Sequence, residues 1–169
     1  MNEISILIHL LSRRKSLYQI GATKKEIISY LNLKGKNKSI LFLDLITNLS
    51  KYIEPLGIQV KFNPLDSHWF ISFESRISDL TFANPFEGEP RLAGTLLCIL
   101  ICCLQHSGST TIQEVKKLRK KKGILDDLKE LSKRGYIFLE NNKLQLTPLI
   151  GYQLDIHKLF TKLALKLKE

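Results

Sequence analysis

The sequence predicts an α+β chain, mostly α-helical, built from one small unit used twice and finished by an extra helix. Three observations predict it. Two segments match at an offset of 88 residues, "TKKEIISYLNLKGKNKS" from Thr23 and "TIQEVKKLRKKKG" from Thr111. Each is followed by a helix-period apolar stretch and then by an alternating run that reads as a hairpin. A length of 169 residues suits two small domains.

Taken in order, "ISILIHLLSRR" predicts a first helix with a buried apolar face. Thr23 and Glu26 then form the Thr-x-x-Glu pattern of a capping box, which starts a second, short helix. A turn carrying Lys34, Lys36 and Lys38 leads into a third helix, "KSILFLDLITNLSKYIEPLG". The hairpin "GIQVKFNPLDSHWFISF" alternates at Ile58, Val60 and Phe62. The second copy opens on "PRLAGTLLCILICCLQH", where Pro90 suits a first helical turn. Thr111 and Glu114 repeat the capping box, Lys120 to Lys122 repeat the turn, and "GILDDLKELSKRG" repeats the third helix. In "YIFLENNKLQLT", Asn141-Asn142 fits a two-residue turn that pairs Leu139 with Leu144 and Ile137 with Leu146. This order, given twice, is that of two tandem winged-helix domains, expected at 1–75 and 90–150. A linker is expected over 76–89 and an amphipathic basic helix over 151–169. In that helix Lys158, Lys162 and Lys166 form one stripe and Ile156, Leu159, Phe160 and Leu163 another.

The formal charge is +10, spread as +4 over residues 1–84 (11 basic, 7 acidic) and +6 over 85–169 (15 basic, 9 acidic). Such an excess favours anionic partners and says nothing about fold. It makes Lys34, Lys36, Lys38, Lys116, Lys117, Arg119, Lys120, Lys121 and Lys122 candidate contacts to DNA phosphates. The longest apolar run, residues 92–104, is too short to span a bilayer, and the opening residues lack the order of a secretory signal. The expectation is a cytoplasmic protein with no membrane association. No Gly-rich phosphate loop and no HExxH or CxxC spacing is present, so neither catalysis nor a cofactor is expected. His9, His68, His106 and His157 stand apart, and His68 beside Trp69 reads as packing or surface. Cys98, Cys102 and His106 share a helix face but lack a fourth ligand, so the three cysteines read as buried thiols rather than a metal site.

The two third helices differ in what they should leave exposed. In the first, Ile40, Leu41, Phe42, Leu43, Leu45, Ile46, Leu49, Tyr52 and Ile53 cover more than one face, and a helix apolar on two sides wants a second partner. A homodimer interface is therefore expected to include Phe42, Leu43, Ile46, Leu49 and Ile53. In the second, Ile124, Leu125, Leu128 and Leu131 should be buried, leaving Asp126, Asp127 and Glu130 outward. Three outward carboxylates would be repelled by a phosphate-lined groove, so that helix is not expected to enter DNA.

The second copy, "TIQEVKKLRKKKGILDDLKELSKRGYI", resembles the second winged helix of the ScpB family, kleisin-partner subunits of bacterial and archaeal SMC complexes. The matching positions are Thr111, Glu114, Val115, Leu118, Arg119, Leu128, Leu131, Arg134, Gly135, Tyr136 and Ile137. The helix before them, "RLAGTLLCILICCLQHSGSTT", is similar to the family's corresponding segment. The resemblance implies a homodimer formed through the first domain, second domains that grip a kleisin, and a non-catalytic role in chromosome condensation and segregation at the nucleoid. Two features depart from the family: the strong basic charge, and Lys120-Lys121-Lys122 in place of a short linker that is often Gly-Val-Asp. Both keep direct contact with double-stranded DNA open, as in basic members of the wider kleisin-interacting tandem winged-helix (KITE) group. The alternative reading is a winged-helix DNA-binding transcriptional regulator.

Overall fold

Residues 2–73, 85–106, 108–156, 159 and 161 are described by a computed structural model. It is α+β, with short helices and small antiparallel sheets, and it falls into two units, Met1–Ala83 and Asn84–Glu169. Of the expected linker, 76–84 lie outside the described residues; so do Lys158, Phe160, Lys162, Leu163 and Lys166 of the expected C-terminal helix.

The first unit begins with α1 (Glu3–Ser12), capped by the Asn2 side chain accepting from the Ile4 amide at 3.2 Å. Its Leu7, Leu10 and Leu11 fall at helical spacing and are buried. A small ribbon follows, β1 (Arg14–Ser16) with β2 (Gln19–Ile20), which the sequence pattern did not announce. The Arg14 guanidinium holds its turn by donating to the carbonyls of Ser16 (3.3 Å) and Leu17 (3.1 Å). Gly21 then passes so close to the sheet that a Cβ would stand 1.9 Å from the Trp69 carbonyl oxygen, and its φ is +84°. Only glycine fits there.

β3 (Ala22–Thr23) leads into α2 (Lys24–Tyr30), then α3 (Lys38–Ile53), a 3-10 turn (Glu54–Leu56), β4 (Ile58–Asn63) and β5 (His68–Phe73). The sheet order is β3-β5-β4, all antiparallel. β3 was not foreseen, yet the capping box requires something like it. Thr23 can cap α2 only with extended backbone (φ −75°, ψ 157°), so the residues entering the helix are already strand-like and pair with β5. Phe42, Ile46, Leu49 and Ile53 of α3 close the core with Leu7, Leu10, Leu11, Ala22 and Ile27. Trp69 meets Phe42 edge-on, with ring centroids 5.5 Å apart.

The second unit repeats the plan. α4 (Pro90–Gln105) is followed by β6 (Ser109–Thr111), α5 (Ile112–Arg119), α6 (Ile124–Lys133), β7 (Ile137–Glu140), β8 (Lys143–Leu146) and α7 (Leu149–Gln153). The sheet order β6-β8-β7 matches that of the first unit, and Thr111 is again both strand end and helix cap (φ −113°, ψ 156°). The hairpin has the expected register, Leu139 opposite Leu144 and Ile137 opposite Leu146, around Asn141 (φ 46°) and Asn142 (φ 66°). Leu92, Leu96, Ile99, Leu100, Val115, Leu128, Leu131, Ile137 and Leu144 form the core. Phe86 is buried with them, its ring 5.2 Å from that of Tyr136. Leu154, Ile156 and Leu159 pack on the same core.

Both capping glutamates also reach a basic side chain. Glu26 accepts from the Thr23 amide (2.8 Å) and hydroxyl (2.9 Å), pairs with Lys15, and lies 3.6 Å from Arg13. Glu114 accepts from the Thr110 hydroxyl (2.7 Å) and the Thr111 amide (2.9 Å), and its other oxygen lies 3.3 Å from His106. Burial pushes the Glu26 carboxyl up, but the hydrogen bonds from Lys15 and Thr23 prevail and hold it down at about 2.

Two outcomes follow from this geometry. Gly21→Ala is expected to destabilise the first unit by about 3 kcal/mol or more, since the backbone of β5 would have to move. Trp69 is the chain's single tryptophan, so its emission in a urea titration reads that unit alone. The stabilisation from Glu26 is complete above its unfolded value of about 4.3 and is lost as pH falls through about 2. An acid titration of Trp69 emission should shift toward neutral pH in Glu26→Gln; an unmoved midpoint would remove Glu26 from the account.

Candidate functional site

Helices α4, α5 and α6 meet around one buried carboxylate. Asp127 is 6% exposed, not outward as its place in the sequence implies. Its Oδ1 accepts from Arg91 Nε (2.8 Å) and Nη2 (2.6 Å), and its Oδ2 accepts from the Thr95 hydroxyl (2.8 Å). Arg91 Nη2 also donates to the Gly123 carbonyl at 3.2 Å. Gly123 has φ +80°, and a Cβ there would stand 2.9 Å from Arg91 Nη2, so the turn needs glycine both for its backbone and for this arginine. Burial pushes the Asp127 carboxyl up; the hydrogen bonds from Arg91 and Thr95 outweigh that and leave it below the usual aspartate range.

Arg119, expected as a phosphate contact, is part of the same cluster. Its Nε donates to Thr95 Oγ1 and its Nη2 to the Arg91 carbonyl, both at 3.4 Å, and it lies across Gly94, where a Cβ would be 3.1 Å from Nη2. The side chain is turned inward because α4 offers it oxygen acceptors that no other cation fills. Arg134 makes the second tie. It grips Glu89 with both Nη atoms (2.6 and 2.8 Å) and Glu130 with Nε (2.7 Å), joining the end of α6 to the start of α4.

These pairs correct the expected outer surface of α6. Of its three acids, Asp127 is internal, Glu130 is paired with Arg134, and Asp126 alone is exposed. Leu125, expected in the core, is 47% exposed. At about 100° per residue the buried stripe runs through Ile124, Asp127, Leu128 and Leu131, which turns Leu125, Lys129 and Lys133 outward. Sequence reasoning placed Asp127 wrongly because a carboxylate at an apolar-stripe position reads as surface until its arginine is known.

The remaining lysines lie where expected. Lys34, Lys36, Lys38, Lys116, Lys117, Lys120, Lys121 and Lys122 are exposed, and none has an ion-pair partner among the described residues. Lys120 caps α5 in the left-handed region (φ 47°, ψ 34°), where glycine or asparagine is the ordinary choice.

In α3 the expected dimer-interface residues divide. Phe42, Ile46, Leu49 and Ile53 are core side chains of the first unit and cannot reach another molecule without opening it. Only Leu43, 51% exposed, is on the surface, and Ile40, Leu41 and Tyr52 are exposed beside it. The helix is therefore apolar on two sides, with different residues on each side from those expected.

The other candidates resolve simply. His68 is buried, with Nδ1 2.9 Å from the Asp66 carbonyl oxygen and 3.2 Å from its carboxylate, so its role is packing within the hairpin. Cys102 and Cys103 are in the core and Cys98 is half-buried; burial pushes all three thiols up, away from the thiolate form a metal would bind. No three His, Cys, Asp or Glu side chains among the described residues come together as a metal-binding group, and none of the described helices is long and apolar enough to cross a membrane.

Asp127→Asn is expected to cost about 2–3 kcal/mol, because Arg91 and Thr95 lose a charged acceptor inside the fold. Asp126→Asn, on the exposed side, should be within about 0.5 kcal/mol of the parent. The Asp127 contribution is present at neutral pH and lost as pH falls below the usual aspartate value toward its depressed one. Urea unfolding read by far-UV circular dichroism measures this, with Trp69 emission as the unaffected first-unit control.

Among known proteins, no family model and no curated protein matches the chain. Solved structures that match it over most of its length include the following two. A conserved hypothetical protein from Chlorobium tepidum is 14% identical with a TM-score of 0.41, covering 89% of this chain and 94% of that one. ScpB from Mycobacterium tuberculosis is 12% identical with a TM-score of 0.37, covering 91% of this chain and 95% of that one. Neither likeness is close enough to carry a function across.

Proposed function

We propose that each unit is a winged helix, and that the chain is a non-catalytic accessory subunit of an SMC–kleisin complex acting in chromosome condensation and segregation. In this reading it pairs with a second copy through the first unit and holds a kleisin through the second, in the cytoplasm at the nucleoid. The observation that carries it is the repeat. Helix, short strand, capped helix, basic turn, helix and hairpin occur twice with the same strand order, and the ScpB-like segment Thr111 to Ile137 fills the second copy.

Pairing through the first unit is supported by α3. Ile40, Leu41 and Leu43 expose apolar side chains within one helical turn, next to no covering element among the described residues of that unit. Several exposed apolar side chains so close together mark an interaction surface more often than scattered single ones do.

The test has two arms. Sedimentation at micromolar concentration should show a dimer for the parent and a monomer for Ile40→Glu/Leu43→Glu, with unchanged circular dichroism. Co-purification with a kleisin fragment should recover two copies of this chain per kleisin. A parent that is strictly monomeric, or one that recovers no kleisin, counts against the reading.

A further inference from the structure

We propose that the second unit binds the phosphates of double-stranded DNA, without reading sequence, through Lys120 to Lys122 and the outward stripe of α6. The first unit, despite its equivalent lysine turn, takes no part. This does not rest on the accessory-subunit reading, since it concerns the chain alone with DNA.

The argument starts from the acids. The obstacle to DNA at α6 was three carboxylates, and the structure withdraws two: Asp127 goes into the Arg91–Thr95 cluster and Glu130 goes to Arg134. Besides Leu125, α6 presents outward Lys129 and Lys133, one turn and about 6 Å apart, with Asp126 as its one exposed acid that has no ion-pair partner among the described residues. Lys120, Lys121 and Lys122 stand at the N-terminal end of the same helix. None of these five lysines has an ion-pair partner among the described residues, so their charge is free to act outside the molecule.

Arg91, Arg119 and Arg134 are all engaged within the fold, so the outward charge of this unit is carried by lysine. Lysine, a point charge on a flexible stem, suits a backbone that offers charge at close intervals and no fixed orientation. Single strands would be held by stacking, and Phe138 is the one large aromatic broadly exposed among the described residues of this unit. At position 120, a lysine in the left-handed region is strained where glycine would not be, a cost its cation offsets in part at the C-terminal end of α5.

The contrast with α3 limits the claim to one unit. Beyond Lys34, Lys36 and Lys38, its outward residues include Ile40, Leu41, Leu43, Asp44 and Tyr52, with Lys51 as the single cation after the first residue of the helix.

The experiment is fluorescence anisotropy of the full chain with a labelled random duplex of about 20 base pairs, from about 50 to 200 mM salt. Log affinity against log salt should fall with a slope of about −4 to −5, for about five phosphates neutralised. Lys121→Gln/Lys122→Gln/Lys129→Gln should flatten that slope by about 2–3, and Lys34→Gln/Lys36→Gln/Lys38→Gln by less than about 1. Equal flattening by the two triple variants would show that net charge acts rather than this surface, and overturns the proposal. Tighter binding to a single strand, or equal displacement by polyglutamate, also overturns it. Lys120→Gly separates function from fold: it should raise Tm while weakening duplex binding several-fold, and an unchanged affinity would count against the assignment.

Discussion

The second unit is organised by the need to keep one carboxylate charged inside it. Asp127 occupies a position on α6 that faces the core, where a lone ion would be costly, so Arg91 and the Thr95 hydroxyl must come to it. That requirement fixes much else. It brings α4 against α6, demands glycine at Gly123, and creates the acceptors that draw Arg119 over Gly94. With Arg134 bridging Glu89 and Glu130, the three helices are held by charged hydrogen bonds as well as by apolar packing. Only Asp127 is buried, Arg91 and the Arg134 pairs being partly exposed, so these pairs add modest stability while tying specific positions together. Their effect here is to fix which face of α6 turns outward.

The segment that resembles ScpB lies in the same unit. Thr111 and Glu114 are a helix cap, while Val115, Leu128, Leu131, Tyr136 and Ile137 are core. Arg119 and Arg134 are internal ties, and Gly135 carries a φ of +82°. Nearly every residue of the motif therefore serves the fold. One difference between the two units lies outside it, on the outer faces of α3 and α6, where α3 is mainly apolar and α6 carries two exposed lysines. A repeated scaffold that keeps its caps and core can change its surface at little cost, because solvated positions are weakly constrained.

Much of the fold was legible in the sequence. The two capping boxes, the helices they start, the I′-type register of the second hairpin and the offset between the copies all follow from local chemistry. The strands β3 and β6 were less visible, being two and three residues long, although the extended caps imply them. The ribbon β1–β2 had no periodic signal, since its turn is held by the Arg14 side chain bonding to nearby carbonyls. Of the candidate site, the exposed lysines were legible because a charge with no partner stays in water. Arg119, Asp127 and the dimer-interface residues were not. Helical periodicity says that a helix has two apolar sides, but not which of them the rest of the unit will cover.

The sequence by itself thus determined where helices start, where chains turn, and that two copies of one plan are present, because capping, turn and alternation signals act within a few residues. Only the tertiary structure decided which charges are spent inside and which remain outside. Asp127 and Arg91 are 36 residues apart, Thr95 and Asp127 32, and Glu89 and Arg134 45. No pattern along the chain marks such pairs, since they are chosen by the packing of three helices. That packing, rather than the count of lysines, leaves α6 with a basic outer face.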